Sequence, residues 1–229
     1  MAQFLLTTVI ERGRILARHF RLVPSFLSED SLTRAVRLLT RRDKDLRAIV
    51  RQFGPPPMWS REPGFSTLLH IILEQQVSLA SARAAHNKLL EIASPLTPSG
   101  FLELDDATLK AAGFSRQKTG YGRELANSLV EGRLDLDVLR ESDDDSVRSE
   151  LLKIKGIGRW TADIYLLMVL RRPDIWPSGD LALAAAAHHV KRLRSRPTPQ
   201  EMNAIGEAWR PWRAVAARIL WHYYLSALV

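Results

Sequence analysis

The chain has 229 residues, with 33 basic and 25 acidic side chains and a formal net charge of +8. Its hydrophobic content of 46% is typical of a globular protein, and its length fits one large domain or two small ones. The absence of cysteine excludes disulfides, thiolate catalysis, thiolate zinc sites and cysteine-bound iron–sulfur clusters. The basic excess favours a polyanionic partner, although it would also serve solubility alone.

In chain order, the hydrophobic periodicity predicts helix after helix, without an alternating strand pattern. Phe4 to Leu6 are expected to lie in a helix rather than a signal peptide, and no apolar run reaches the roughly 18–20 residues that span a bilayer. We therefore expect a cytoplasmic protein without a membrane segment. Residues 1–52 are predicted to form an N-terminal helical segment that packs on the rest, and residues 54–57 mark the break.

Helix starts in the rest of the chain are marked by capping residues. Ser78 and Ser115 are predicted N-caps, and residues 198–201 combine an N-cap, a first-turn proline and a capping-box glutamate. The acidic run at residues 143–145 precedes another helix, where its charge complements the helix dipole. Pro211 is predicted to open the last helix. These signals indicate a series of short helices joined by tight turns.

The most informative segment is residues 151–162, in which Gly-Ile-Gly joins two helices. Gly156 and Gly158 allow a tight turn and leave no Cβ between main-chain amides and a ligand. Amides at the N-terminus of the helix that begins near Arg159 would bind an anion such as a DNA phosphate. A purely structural turn with glycine caps explains the same residues.

This segment and a later loop resemble the helix–hairpin–helix DNA glycosylase superfamily. The hairpin at residues 151–162 has the family's offsets, and residues 176–183 resemble the proline-containing loop that delivers a catalytic aspartate. The resemblance places that aspartate at Asp180, 22 residues after Gly158, within a catalytic loop at residues 173–181. A fixed carboxylate there would stabilise the positive charge that develops on the sugar as its bond to the base breaks. An aspartate in this position also serves as a plain N-cap.

Further segments resemble the 3-methyladenine branch of this superfamily. Residues 73–78 resemble the segment whose side chain wedges into the duplex, here Gln76, where some relatives have an apolar residue. Residues 208–213 resemble the C-terminal part of that branch. The resemblance covers residues 53–229 as the glycosylase domain and leaves residues 1–52 without a role.

Trp160 bears on the type of chemistry. Bifunctional members of the family have a lysine two positions after the second hairpin glycine, whose amine attacks the sugar. The indole at this position cannot do so, which implies a monofunctional enzyme that uses water. Trp160, Trp209 and Trp212 are candidates for stacking on an extruded alkylated base, because its positive charge favours an indole face. Core packing is the alternative interpretation for each of them.

The resemblance implies an all-α fold in which two helical subdomains flank a DNA-binding cleft, without an iron–sulfur cluster. We expect a monomer that binds double-stranded DNA with damaged bases, flips out alkylated purines such as 3-methyladenine and hydrolyses them away, leaving an abasic site. The residues predicted to contact DNA at the hairpin are Lys153, Lys155, Gly156, Ile157, Gly158, Arg159 and Thr161. The alternatives are a glycosylase for deaminated or mismatched bases and a non-catalytic DNA-binding module.

No cofactor is expected. Family hairpins can hold a monovalent cation through backbone carbonyls, which the resemblance extends to Lys153 through Ile157. No metal site is assigned to the adjacent His188 and His189, because neighbouring residues do not share a helical face and no third ligand stands at a suitable spacing.

Overall fold

The regular structure is helical, as predicted. The structure is a computed structural model that describes residues 23–228. Within that range there are thirteen α-helices and a π-helical turn, and there is no strand. The helices are α1 (Glu29–Arg42), α2 (Lys44–Phe53), α3 (Phe65–Leu73), α4 (Leu79–Ile92), α5 (Pro98–Leu102), α6 (Asp106–Ala111), α7 (Arg116–Val130), α8 (Leu136–Glu141), α9 (Asp144–Leu152), α10 (Arg159–Ile164), α11 (Leu181–Val190), α12 (Pro199–Glu207) and α13 (Arg213–Ala227). The helix expected around Phe4 lies outside the described residues.

The helices form two groups. In the first, α7 packs against α3, α5 and α6, while α10 contacts both α3 and α9. In the second, the last helix, α13, packs against α1, α2, α11 and α12. The first two and the last three helices of the described chain therefore share one group, and the middle of the chain supplies the other. Within the described residues no helix is long and apolar enough to cross a bilayer.

The helix starts follow the predicted caps, with one exception. Ser78, Ser115 and Thr198 each accept a backbone N–H of the helix that they precede, and Thr198 forms the expected capping box with Glu201. The prediction for Pro211 is wrong by two residues, since α13 begins at Arg213. Residues 209–212 form a turn instead, closed by a hydrogen bond from the 212 amide to the 209 carbonyl at 2.8 Å.

The predicted break at residues 54–57 leads into a packed connector. Met58 is 7% exposed, and its carbonyl accepts a hydrogen bond from Arg218 Nε at 2.8 Å. Arg218 is fully buried on α13 and also donates to the carbonyl of Leu167, which lies in the π-helical turn Tyr165–Val169. Burial lowers the pKa of Arg218 to about 10. The Arg218 guanidinium therefore links three parts of the chain: the connector, the π-helical turn that follows α10, and α13.

Candidate active site and nucleic-acid interface

Asp180 is the N-cap of α11, and its carboxylate also has partners outside that helix. Oδ1 accepts the backbone N–H of Leu183 at 2.7 Å and the indole N–H of Trp221 at 3.0 Å. Oδ2 accepts the indole N–H of Trp160 at 2.8 Å. Donors from α10, α11 and α13 therefore fix one carboxylate, and charge-assisted bonds of this kind are stronger than neutral ones. Asp180 keeps 9% of its surface exposed.

The first half of the loop before Asp180 is anchored at two points, Asp174 and Trp176. Asp174 accepts Arg213 Nε at 2.9 Å and Nη2 at 3.0 Å, which ties the loop to the start of α13. Trp176 donates its indole N–H to the carbonyl of Met202 in α12 at 2.8 Å. Because these anchors lie on two helices of one group, the loop delivers Asp180 to a defined position.

The two hairpin glycines serve different purposes. Gly156 has φ +98°, and a Cβ there would lie 2.2 Å from Tyr121 Cγ, so the fold itself requires glycine. Gly158 is the N-cap of α10 without a side-chain cap, and a Cβ there would meet nothing within 4 Å. The first amides of α10 have no intrahelical partner. The exposed side of the hairpin at Gly158 is therefore open to a ligand.

The side chains of two predicted DNA contacts, Thr161 and Ile157, are buried, so a contact of either residue with DNA through its backbone stays a prediction. Thr161 is 1% exposed, and its hydroxyl accepts a hydrogen bond from Gln75 Nε2 at 2.9 Å. Ile157 is 4% exposed, and its amide donates to the carbonyl of Ile154 at 3.0 Å. Both side chains face the interior and hold the turn there, so neither side chain is available to DNA.

The charged hairpin residues are exposed, but they differ in their partners. Lys153 is paired with Glu150, with Nζ at 2.7 Å from Oε1. Arg159 lies at the edge of ion-pair distance from the buried Asp163, 3.8 Å away. Lys155 is exposed and forms no ion pair with any residue of 23–228. Lys155 and Arg159 are therefore the hairpin cations with the most charge available to a ligand.

The turn that carries the predicted wedge is bonded to the hairpin. Gln75 Nε2 donates to the carbonyl of Gly156 at 2.8 Å and to the hydroxyl of Thr161. The next residue, Gln76, is exposed and has φ +57°, a left-handed conformation that turns its side chain out of the helical path. One amide thus fixes the distance between the wedge turn and the hairpin.

A buried ion pair and two stacked histidines lie beside this turn. Glu74 accepts two bonds from the guanidinium of Arg61, at 2.7 and 3.0 Å. His70 stacks on His86 with ring centroids 4.3 Å apart. Burial, together with the neighbouring charges of His86 and Arg61, lowers the pKa of His70 to about 4. Both rings are therefore neutral at pH 7, and burial also lowers the pKa of His86.

The predicted base-pocket tryptophans are not together. Trp160 is half-buried and bonded to Asp180, whereas Trp209 is 1% exposed and donates its indole N–H to Asp43 at 2.9 Å. The pocket prediction for Trp209 is corrected, because its ring is enclosed by Trp176 and by the protein core and has no face for a base. Trp212 is 6% exposed at the start of α13, and its pocket role stays a prediction.

Sequence reasoning missed the contact of Trp221 with Asp180. The two residues are 41 positions apart, and the sequence around Trp221 does not suggest a partner. A tryptophan on an amphipathic last helix is expected to pack in the core, and Trp221 is indeed 7% exposed. Only the packing of α13 on α11 reveals that its N–H has a carboxylate to bind.

No group of three or more His, Asp or Glu side chains is placed to hold a metal ion in residues 23–228. His189 bonds to Tyr223 through Nδ1 instead. In the hairpin, the carbonyls of Ile154 and Gly156 already accept N–H bonds from Ile157 and Gln75. The monovalent cation at this turn stays a prediction.

Comparison with known proteins agrees with this geometry. The chain is 28% identical over 199 residues to DNA-3-methyladenine glycosylase 1 of Schizosaccharomyces pombe, covering 83% of this chain and 87% of the relative. It is 28% identical over 204 residues to an alkylbase DNA glycosidase-like protein of the same yeast, covering 85% and 95%. The solved structure of an S. pombe 3-methyladenine DNA glycosylase with abasic DNA superposes with a TM-score of 0.80 and 26% identity, over 85% of this chain and 98% of that one.

The family match spans most of the site. Residues 69–211 match the family described as HhH-GPD superfamily base excision DNA repair protein. This range contains the wedge turn, the hairpin, the anchored loop and Asp180, and it leaves α1, α2 and all of α13 outside. The chain belongs to the HhH-GPD superfamily of base excision DNA repair proteins.

Proposed function

We propose that this protein is a monofunctional DNA glycosylase that extrudes alkylated purines such as 3-methyladenine from duplex DNA and hydrolyses their glycosidic bond. The observation that carries the proposal is the carboxylate of Asp180, which two indoles and a backbone amide hold at the N-terminus of α11. A plain N-cap requires one backbone donor, so the two indole bonds are beyond what capping explains.

In the reaction, the bond between sugar C1′ and the base nitrogen breaks and leaves positive charge on the sugar. The fixed carboxylate of Asp180 stabilises that charge, and its geometry costs no reorganisation because its donors already hold it. Water then adds its oxygen to C1′ and releases a proton. An alkylated purine carries a positive charge before cleavage, so it departs as a neutral base without protonation by the enzyme.

Trp160 has two consequences for the proposed mechanism: it removes a possible amine nucleophile, and it places an aromatic ring beside Asp180. It stands two positions after Gly158, where an amine nucleophile would be required for strand cleavage. Its indole N–H is bonded to Asp180, which leaves the ring half-exposed beside the carboxylate. A cationic base over an indole face gains about 0.5–2 kcal/mol, so this ring favours alkylated over neutral purines.

Duplex DNA binds, in this proposal, at the exposed side of the hairpin and at the wedge turn. The unpaired first amides of α10 meet a phosphate at Gly158, and Lys155 and Arg159 add screened attraction. Gln76 fills the space that the extruded nucleotide leaves. A yeast relative whose structure superposes over most of the chain is described in complex with abasic DNA, the product form, which supports this partner.

The test is base release from randomly methylated DNA, followed by chromatography of the free bases. We expect the wild type to release alkylated purines, and Asp180→Asn to lose the rate by about 10²–10³-fold while it still binds DNA. Asp137→Asn, which alters an exposed carboxylate on α8, is the matched control and keeps the rate. Equal rates for wild type and Asp180→Asn would refute the catalytic role of this residue.

Two further measurements separate the alternatives. If DNA containing hypoxanthine is processed faster than methylated DNA, the deaminated-base alternative is correct. Borohydride should trap no covalent complex with DNA, since Trp160 cannot form a Schiff base. A trapped complex would contradict the monofunctional mechanism.

A further inference from the structure

The basic excess of this protein does not lie around its hairpin. Residues 54–190, which contain the wedge turn, the hairpin and Asp180, carry 15 basic and 18 acidic side chains. Residues 29–53 carry seven basic and four acidic side chains, and residues 191–229 carry seven and two. The positive charge is therefore concentrated on the group of helices formed by the two ends of the described chain.

Helices α1 and α2 each carry a basic stripe. Arg34, Arg37 and Arg41 are spaced by three and four residues on α1, and all three are exposed. Lys44, Arg47 and Arg51 repeat that spacing on α2 and are also exposed. The opposite faces of both helices are apolar and pack against each other and α13. The stripes are therefore outward-facing surfaces of helices that the core holds in place.

Contacts between the elements make these stripes one surface. Arg47 Nε donates to the carbonyl of Thr40 at 2.7 Å, which brings α2 against the end of α1. Lys44 and Arg192 line one surface cavity of about 320 Å³, which brings the loop after α11 beside α2. We call this surface the N-terminal basic face. It consists of Arg34, Arg37, Arg41, Arg42, Lys44, Arg47, Arg51 and Arg192, together with Arg194 and Arg196, which are exposed in the same loop as Arg192.

The acidic side chains at the junction of α1 and α2 are engaged by residues outside this face. Asp43 and Asp45 both accept Lys191 Nζ, at 2.7 and 2.8 Å, and Asp43 also accepts Trp209 and caps α2. Among the ion pairs formed within residues 23–228, none includes a member of the N-terminal basic face. Two further acidic side chains, Glu29 and Asp30, lie in the first turn of α1. The ten cations of the face thus outnumber the unpaired carboxylates beside them, which raises the local potential for a polyanion.

The N-terminal basic face lies at the end of α11 opposite to Asp180. Asp180 is the N-cap of α11 and Lys191 is its C-cap, so ten residues separate Asp180 from the basic loop, a rise of about 15 Å. The phosphates of a nucleotide bound at Asp180 are therefore too far from this face to contact it. Whatever binds here is a separate stretch of polyanion.

We propose that the N-terminal basic face binds the phosphate backbone of undamaged duplex DNA, separate from the nucleotides at Asp180. The inference rests on the proposed function, since a DNA glycosylase works where duplex phosphates are abundant. Arginines one helical turn apart suit a polyanion that is read by charge alone. Such binding would keep the enzyme on undamaged DNA between lesions. It gives residues 29–53, which the family match does not include, a function.

The test compares Arg34→Gln/Arg37→Gln/Arg41→Gln with a control that removes three exposed cations elsewhere, Lys88→Gln/Lys110→Gln/Arg140→Gln. Affinity for an undamaged duplex of about 30 base pairs is measured over a range of salt concentrations. Each phosphate contact contributes about 0.9 to the slope of log K against log salt. We expect the basic-face variant to lose about 2–3 units of slope and about tenfold or more in affinity, and the control to keep the wild-type slope.

A second variant and an excision measurement complete the test. Arg192→Gln/Arg194→Gln/Arg196→Gln should lower the slope in the same way, which guards against misfolding of one variant. Affinity for undamaged DNA is measured without excision, so this proposal can be tested even if the enzyme releases no base. Single-turnover excision by the basic-face variants, measured on a short substrate saturated with enzyme, should be unchanged. Wild-type slopes in both variants would overturn the proposal. So would binding of the face to vesicles of anionic lipid in place of DNA.

Discussion

The indole N–H of Trp221 lies 3.0 Å from Asp180 Oδ1, and that of Trp160 lies 2.8 Å from Oδ2. Each carboxylate oxygen therefore has its own tryptophan, one from the last helix and one from the helix of the hairpin. A phosphate bound at the hairpin, as proposed above, would act on α10, the helix whose Trp160 orients the carboxylate. Trp160 therefore connects the proposed DNA contact at the hairpin to the position of the proposed catalytic carboxylate.

The first prediction concerns these two indoles. Trp221→Phe and Trp160→Phe each remove one donor to the charged carboxylate, a bond worth about 1.5–3 kcal/mol. We expect Trp221→Phe to lower the single-turnover excision rate about tenfold or more, because the carboxylate loses one of its fixed directions. Trp160→Phe should lower the rate and also weaken the preference for cationic bases, since it replaces the indole ring beside the carboxylate of Asp180.

The control for this pair is Trp209→Phe, which removes an indole bond to Asp43 and no bond to Asp180. It should lower the melting temperature, with a smaller effect on the rate per folded molecule. A Trp221→Phe enzyme with the wild-type rate would mean that the remaining donors suffice.

The second prediction separates the two hairpin glycines. Gly156→Ala combines a positive φ with a Cβ 2.2 Å from Tyr121, so we expect a loss of about 1–3 kcal/mol in the free energy of unfolding. Gly158→Ala meets nothing in the protein, and it should leave stability nearly unchanged and weaken DNA binding. Urea denaturation and duplex affinity, measured on both variants, distinguish the two roles. Equal DNA affinity of Gly158→Ala and wild type would argue against a phosphate at this turn.

The features that sequence could predict are local ones. Ser78, Ser115 and Thr198 cap helices because their side chains reach amides only three residues away, so the sequence around them suffices. The hairpin and Asp180 were recognisable for the same reason, since turn geometry depends on neighbouring residues. The family assignment rests on these short-range patterns.

The features that sequence could not predict depend on how helices pack. Trp209 and Trp221 are both tryptophans near the C-terminus, yet one binds Asp43 and the other Asp180. Thr161 follows the hairpin in the same helical turn as Arg159, but it faces Gln75 inside the protein. The position of a residue in the sequence does not tell whether its side chain faces the protein interior or the solvent. Such contacts can be read only from the tertiary packing.

The third prediction concerns Gln75, the residue that joins the wedge turn to the hairpin. Gln75→Leu keeps the size of the side chain and leaves the Gly156 carbonyl and the Thr161 hydroxyl without their donor. We expect the free energy of unfolding to fall by about 1–3 kcal/mol, with weaker lesion binding because the two elements are no longer held together. Urea denaturation measures the first effect and duplex affinity the second.

Gln76→Ala is the matched variant one residue further on. Gln76 is exposed, so its truncation should leave the unfolding curve nearly unchanged while it slows excision from paired duplex more than from mismatched duplex. If Gln75→Leu behaved like Gln76→Ala in denaturation, the bonds from Gln75 to the hairpin would contribute nothing to the fold.

The fourth prediction is a pH dependence of stability that comes from the stacked histidines. Burial lowers the pKa of His70 from 6.5 to about 4, and it lowers the pKa of His86 as well. Glu74 lies 3.8 Å from His70, but its charge is engaged by Arg61. As the pH falls below 6.5, the unfolded chain binds protons at these rings and the folded protein does not, so the free energy of unfolding must fall.

The measurement is urea denaturation of the wild type and of His70→Gln/His86→Gln at about pH 7 and pH 5. Comparing the two proteins cancels the contribution of the carboxylates, which both share. The wild type should lose stability on acidification, and the variant should lose clearly less, because it has no ring to protonate. The variant is expected to be the less stable protein at pH 7, since it lacks the stacking and the bond from His86 to Ser66. Parallel losses in both proteins would mean that these histidines titrate normally in the folded state.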